Sequence, residues 1–239
     1  MTIIRYAVPV LALAAVFAPA VAGNARAPQA TAVAVRRAAL VSSVSCSSGG
    51  NCGAGGFYDD ASGHRQGFVV SERGGVWGRA LEVPGLGALN AGGFGAVFSV
   101  SCSSAGNCAA VGYYTDSSSG QQGFVVSERG GVWRRALKVP GLGALNAGGF
   151  GAVFSVSCSS AGNCAAGGSY SDSFRDVQGF VVGERDGVWG QAVEVPGLGA
   201  LNSGNLAQIN SVSCVSAGNC GAGGSYMDRT GELGFVVSE

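Results

Sequence analysis

Residues 96–102 (AVFSVSC) alternate apolar with small polar side chains, a period of two that predicts a half-buried β-strand. Residues 103–107 (SSAGN) predict a turn and residues 108–114 (CAAVGYY) a second strand. A polar loop at 116–122 (DSSSGQQ) precedes a third strand over 123–128 (GFVVSE). Gly130 and Gly131 then supply the positive φ values that a tight hairpin needs. Residues 132–139 (VWRRALKV) predict a fourth strand, with Trp133, Leu137 and Val139 on one face and Arg134 and Lys138 on the other. Pro140 ends it, and residues 141–151 (GLGALNAGGFG) predict a long glycine-rich link. Helical periodicity is absent throughout.

This pattern recurs every 56 residues. Cys46, Cys102, Cys158 and Cys214 keep that interval, as do Cys52, Cys108, Cys164 and Cys220. Tyr58, Tyr114, Tyr170 and Tyr226 repeat with it, followed by Asp60, Asp116, Asp172 and Asp228. Trp77, Trp133 and Trp189 mark the first three copies, and residues 83–110 are identical to residues 139–166. The copies divide the chain at 41–96, 97–152, 153–208 and 209–239, the last one truncated before its fourth strand. Four antiparallel strands per copy, joined by short turns and one long link, follow the plan of a β-propeller blade. The expected fold is therefore all-β, a propeller-like array of four repeats. Residues 33–40 (VAVRRAAL) resemble the fourth strand, and they are a candidate closing strand for the last copy, pairing with residues 234–238. A closed four-bladed ring, part of a larger ring and an open array that pairs with a second copy all remain open.

Upstream of the repeats, Arg5, the short apolar run 7–17 and the A-x-A sites at residues 20–22 and 25–27 predict a signal peptide, cleaved after Ala22 or Ala27. The apolar stretch of 7–22 contains two prolines and is short for a membrane span of about 20 residues. No cysteine lies near either cleavage site to carry a lipid. The mature chain is thus expected outside the cell, without a membrane span, in an oxidising compartment.

The run S-V-S-C-x-S-A-G-N-C-x-A-x-G-x-Y over residues 99–114 resembles a repeat of secreted actinobacterial proteins of unassigned function. More loosely, GFVV, the VW segment and PGLGALN, in that order, resemble the extracellular HAF-type repeats, and that resemblance implies a propeller-like fold. It extends over residues 41–239 and departs from the HAF pattern in the cysteines that flank the turn. Neither family brings an activity or a catalytic residue.

Each C-x5-C pair brackets a predicted hairpin turn, so export and repeat symmetry favour four local bridges, Cys46–Cys52, Cys102–Cys108, Cys158–Cys164 and Cys214–Cys220, over a zinc site with no histidine beside it. Closing so small a loop contributes roughly 2 kcal/mol per bridge. The tryptophans invite a sugar-stacking reading, but sharing a strand face with Leu or Val favours packing between copies. Glu72, Glu128, Glu184 and Glu239 recur at a strand end, where surface positions flanking the hairpin are expected. The repeated Asp residues are expected to start their turns by bonding their own backbone. A calcium ring would need six or more oxygens, and only one carboxylate per copy recurs there.

The 14 basic and 14 acidic residues give a formal net charge of zero, which argues against a nucleic-acid partner. No cofactor or metal motif is present, and the single histidine, His64, sits in a polar loop with no fixed partner. The loops between the second and third strands read DASGHRQ, DSSSGQQ, DSFRDVQ and DRTGEL, while the frame around them barely changes. Variable loops on one rim of a constant scaffold make a candidate binding surface. Its candidate residues are Asp60, His64, Arg65, Asp116, Asp172, Phe174, Arg175, Asp176, Asp228 and Arg229. The leading expectation is a non-catalytic extracellular module that binds a protein or glycan, with self-association through an open edge as a further option. The alternative is an exported hydrolase or lyase using rim carboxylates such as Asp59, Asp176, Asp186 and Glu232.

Overall fold

The structure, a computed structural model, describes residues 38–238. The predicted signal peptide, both cleavage sites, residues 33–37 and Glu239 lie outside the described residues. The first repeat forms β1 (Ala39–Ser48), β2 (Asn51–Asp59), β3 (Arg65–Arg73), β4 (Val76–Trp77) and β5 (Leu81–Glu82), followed by α1 (Leu86–Leu89). The second forms β6 (Gly95–Ser104), β7 (Asn107–Thr115), β8 (Gln121–Arg129), β9 (Val132–Trp133), β10 (Leu137–Lys138) and α2 (Leu142–Leu145). The third repeats the series as β11 (Gly151–Ser160), β12 (Asn163–Ser171), β13 (Val177–Arg185), β14 (Val188–Trp189), β15 (Val193–Glu194) and α3 (Leu198–Leu201). The fourth holds β16 (Ala207–Ser216), β17 (Asn219–Met227) and β18 (Glu232–Ser238). The protein is all-β, in four repeated antiparallel sheets of three to five strands.

The predicted fourth strand is not continuous. Its two halves, β9 and β10 in the second repeat, both pair with β8, and the segment between them leaves the sheet. There the Ala136 N–H donates to the Pro84 carbonyl of the preceding repeat at 2.8 Å, and Ala192 does the same to Pro140. The segment divides its backbone bonds between its own sheet and its neighbour. The glycine-rich link is likewise more ordered than expected, since each of the first three copies carries a one-turn helix too short to show a sequence period. Of the closing-strand candidate, Ala39 and Leu40 belong to β1 and pair with Tyr58 and Phe57.

The hydrophobic core lies between sheets. Val69, Val83 and Leu86 of the first repeat pack with Val97, Val100, Phe124, Val126 and Trp133 of the second. The same arrangement joins the second repeat to the third around Val125, Val139, Leu142, Phe180 and Trp189. A third cluster, around Leu198, Ile209 and Val212, joins the third to the fourth. Phe124 and Phe180 are fully buried at these junctions, each stabilising by about 1.5–3 kcal/mol through the area removed from water. A lone four-stranded copy could not bury these faces, so stability resides in the stacking.

The cysteines close the first hairpin of every repeat, at Cys46–Cys52, Cys102–Cys108, Cys158–Cys164 and Cys214–Cys220. In each pair the two residues sit directly opposite in the strand register. The hairpin turn is also tied to the next one: Gly75 donates to the Gly50 carbonyl at 2.9 Å, with matching bonds in the next two repeats. A Cβ at Gly50 would meet the Gly75 nitrogen at 2.7 Å, so only glycine fits this approach.

Candidate functional site

The loops between the second and third strands are built around their aspartates. Asp60 Oδ1 accepts from the N–H groups of Ser62 (2.8 Å) and His64 (3.0 Å), and Oδ2 accepts from Gln66 Nε2 (3.0 Å). Asp116 repeats this with Ser118, Gly120 and Gln122, and Asp172 with Phe174 and Asp176. Asp228 accepts from Thr230 and Gly231. Hydrogen bonds of this kind favour the carboxylate. The Gln66 amide, with the His64 and Ser62 N–H groups, holds the Asp60 carboxyl below its ordinary pKa. For Asp116 burial pushes upward, but the Gly120, Ser118 and Gln122 donors outweigh it and the net shift is down. The Thr230 hydroxyl leads a similar lowering at Asp228.

The loop and the link share one rim. The Arg65 N–H donates to the Gly93 carbonyl at 2.8 Å, and Asn90, buried at the end of α1, donates to the Arg65 carbonyl (3.0 Å) and to Gln66 Oε1 (3.1 Å). Asn146 and Asn202 hold the next two loops in the same way. The frame is therefore constant in the first three repeats, and what varies is presented at its tips. Phe174 is 84% exposed, and Arg175 beside it takes φ +68°, a left-handed conformation rare for a side chain of its size. Arg65 lies over the Phe57 ring at 3.9 Å, faces Phe94 at 5.9 Å, and pairs with Asp59 at 3.6 Å. His64 is exposed, 4.0 Å from Asp60.

A second aromatic group comes from β-bulges. The register of the first hairpin slips between Val97 and Ser99, leaving Phe98 as the extra residue, and Phe154 occupies the matching bulge. A bulge re-aims the side chain it inserts. The Phe98 ring lies 5.1 Å from Tyr113 and 5.9 Å from Phe154, so the three form a strip across two sheets. The period-two reading passes straight through AVFSVSC and misses this. The available signal was substitution at one position, where Ser42, Phe98, Phe154 and Asn210 occupy equivalent sites.

Two of the recurring glutamates, Glu128 and Glu184, are junction residues rather than surface ones. Glu128 and Glu184 are buried, and each spans two repeats. Ser71 Oγ donates to Glu128 Oε1 at 2.8 Å, Arg73 Nη2 reaches the same oxygen at 3.3 Å, and Trp133 Nε1 donates to Ser71 Oγ at 3.0 Å. Ser127, Arg129, Glu184 and Trp189 repeat the clamp one junction on. The expected packing role of the tryptophans thus includes a polar bond to the preceding copy. Clefts open beside these junctions. One of 560 Å³ is lined by Arg73, Arg79, Glu128 and Trp133, and one of 360 Å³ by Val181, Val193, Ala222 and Val237. Among the described residues no three His, Cys, Asp or Glu side chains gather as a metal site requires.

No protein-family model matches the chain, and no curated protein matches it. Among solved structures it is similar to Hadza microbial sialidase Hz136, with a TM-score of 0.53 and 13% identity over 84% of this chain and 44% of that one. At that identity the likeness concerns the fold. Among the described residues no helix is long and apolar enough to cross a membrane.

Proposed function

We propose that the protein is a secreted, propeller-like repeat module that binds an extracellular glycan or protein through its loop rim, without catalysis. The observation that carries this reading is one hydrogen-bonded frame, centred on the repeated Asp and Asn residues, that presents different exposed side chains in each copy. Copying around a cysteine-bridged scaffold, as in the resembling secreted repeats, keeps the frame rigid while the tips diverge. The half-exposed strip of Phe98, Tyr113 and Phe154 adds flat apolar faces beside polar loops, a surface suited to stacking on sugar rings. Asp60, Asp116 and Asp228 are tied by their oxygens to the backbone of their own turns, a structural use of these carboxylates. Asp59 is paired with Arg65, and the clefts beside Trp133 and Trp189 are each lined by one carboxylate, Glu128 and Glu184.

The test is a glycan array with the parent chain, a Phe98→Ala/Tyr113→Ser variant and a Phe174→Ser/Arg175→Ser variant. Retained folding with lost binding in either variant supports the rim. Binding that survives both, or that needs Trp133, would move the site to the junctions, and turnover of a glycan by the parent would favour the hydrolase alternative.

A further inference from the structure

Among the described residues the four repeats make three junctions, and two faces are covered by no other repeat. The front of the first repeat carries Val41 (53% exposed), Val44 (56%) and Trp77 (41%). Their counterparts Val97, Val100 and Trp133 are 0%, 5% and 8% exposed, because the first repeat covers them. The back of the fourth repeat carries Val236, 89% exposed, where Val69 and Val125 are fully buried beneath the following repeat.

These two faces are the halves of an interface already present in the chain. The back of the first repeat is made of Gly53, Gly55 and Val69, with Ser43, Ser45 and Ser71 as its polar groups. The back of the fourth repeat has the same residues at the same positions: Gly221, Gly223, Val236, Ser211, Ser213 and Ser238. The glycines matter, since a Cβ at Gly55 would fall 2.6 Å from Val97 Cγ1 and one at Gly53 would fall 2.8 Å from Cys102 Sγ. The second and third repeats depart from this set, with Ala109 and Val111 in the second and Ala165 and Gly183 in the third, and the fourth returns to it. On the front side, the second repeat meets the first with Val97, Val100, Cys108, Ala110, Tyr114, Glu128 and Trp133. The front of the first repeat offers Val41, Val44, Cys52, Ala54, Tyr58, Glu72 and Trp77.

Main-chain bonding agrees. At every junction, two serines accept from backbone N–H groups of the next repeat: Ser43 from Val100 and Ser45 from Cys102, both at 3.0 Å, with the pattern repeated by Ser99, Ser101, Ser155 and Ser157. Ser211 and Ser213 are the exposed members of this series, and the N–H groups of Val44 and Cys46 hold the positions of the Val100 and Cys102 donors. Three steps of the same stacking leave Trp77 and Val236 in solvent, so the fourth sheet does not return to cover the first.

We infer that the occupant of each face is a second copy of this chain, docked head to tail: the front of its first repeat sits on the back of the fourth and rebuilds the strand part of the first junction, whose link residues Val83, Pro84 and Leu86 have no counterpart among β16, β17 and β18. Trp77 of the incoming copy bonds Ser238, Ser238 bonds Glu72, and Ser211 and Ser213 accept from Val44 and Cys46. The contact is heterologous, so it either closes into a ring of two or more chains or runs on as a filament. It is independent of the rim, and its failure would leave rim binding intact.

The experiment is light scattering on the purified full chain across a wide concentration range, with Val44→Lys and Val236→Lys variants. Both sites are exposed in the single chain, so circular dichroism and melting should match the parent at dilutions where the parent is a single chain. The parent should gain mass in whole-chain steps, and each variant alone should be monomeric. An equimolar mixture of the two variants should recover one intact contact, and so form a dimer and nothing larger. A parent that stays monomeric throughout, variants that still associate alone, or a mixture that remains monomeric would each overturn the inference; the first of these is also what closure within one chain would give.

Discussion

The second repeat and the first repeat have almost the same front face, and they differ in what lies against it. Trp133 is 8% exposed and bonds Ser71 of its neighbour, while Trp77 is 41% exposed. Glu128 is buried under Ser71 and Arg73, whereas Glu72, at the equivalent position, has no preceding repeat to supply those donors. The same residues are thus core in one copy and surface in another. In a stacked array, burial belongs to the junction and not to the residue.

The sharpest way to break this comparison is to truncate the two tryptophans. Trp133→Ala should destabilise by about 3–5 kcal/mol, since it opens a cavity and leaves Ser71 without its indole partner. Trp77→Ala should cost about 1 kcal/mol or less in the monomer, as substitutions at partly solvated sites do. Equal losses in denaturant unfolding would mean that the first repeat's front face is covered in solution.

A smaller difference is expected at the glutamates. Glu128→Gln removes the charge that receives Ser71 and Arg73, and hydrogen bonds to a charged group are worth about 1.5–3 kcal/mol. Arg73 is 54% exposed, so its share is screened and a loss of about 2 kcal/mol is expected. Glu72→Gln should be close to neutral. A neutral Glu128→Gln would mean that the clamp positions the sheets without stabilising them.

Much of this was legible in the sequence, because a 56-residue period multiplies every weak signal by the number of copies. The antiparallel order and the hairpin bridges follow from alternation and from C-x5-C spacing around a glycine turn. The Asp-centred turns were readable because a short carboxylate two residues before a turn has few other uses. Three features were not. The break in the fourth strand, which the first repeat shows as well between β4 and β5, leaves no mark on the local alternation. Glu128 reads as a surface residue because its partners are more than 50 positions away. Phe98 reads as a regular strand position because a bulge leaves no mark on an alternating string. In each case the missing information was a contact between copies or a local irregularity of a strand, and periodicity reports neither.

The finest test of the comparison is alkaline titration. Burial, with Asp116 nearby adding to it, raises the Tyr114 phenol to about 12. Tyr58, its counterpart in the first repeat, is also raised, by burial first and then by Glu82, whose carboxylate accepts its hydroxyl at 3.2 Å. A raised phenol means that the folded state holds the proton more tightly than the unfolded chain does. The stability this gives is fully present below the unfolded value of about 10, and it is lost as pH rises through about 12. Tyr114→Phe should therefore flatten the fall in stability across that window, and absorbance of the phenolate should lose one late component, the Tyr170 phenol being raised further still. If a second copy covers the first repeat, Tyr58 will become buried as Tyr114 is, and its ionisation in the parent should come later than in the monomeric Val236→Lys variant. Identical Tyr58 titrations in the associated and monomeric chains would show that its front face stays in water, and that the two repeats differ for good.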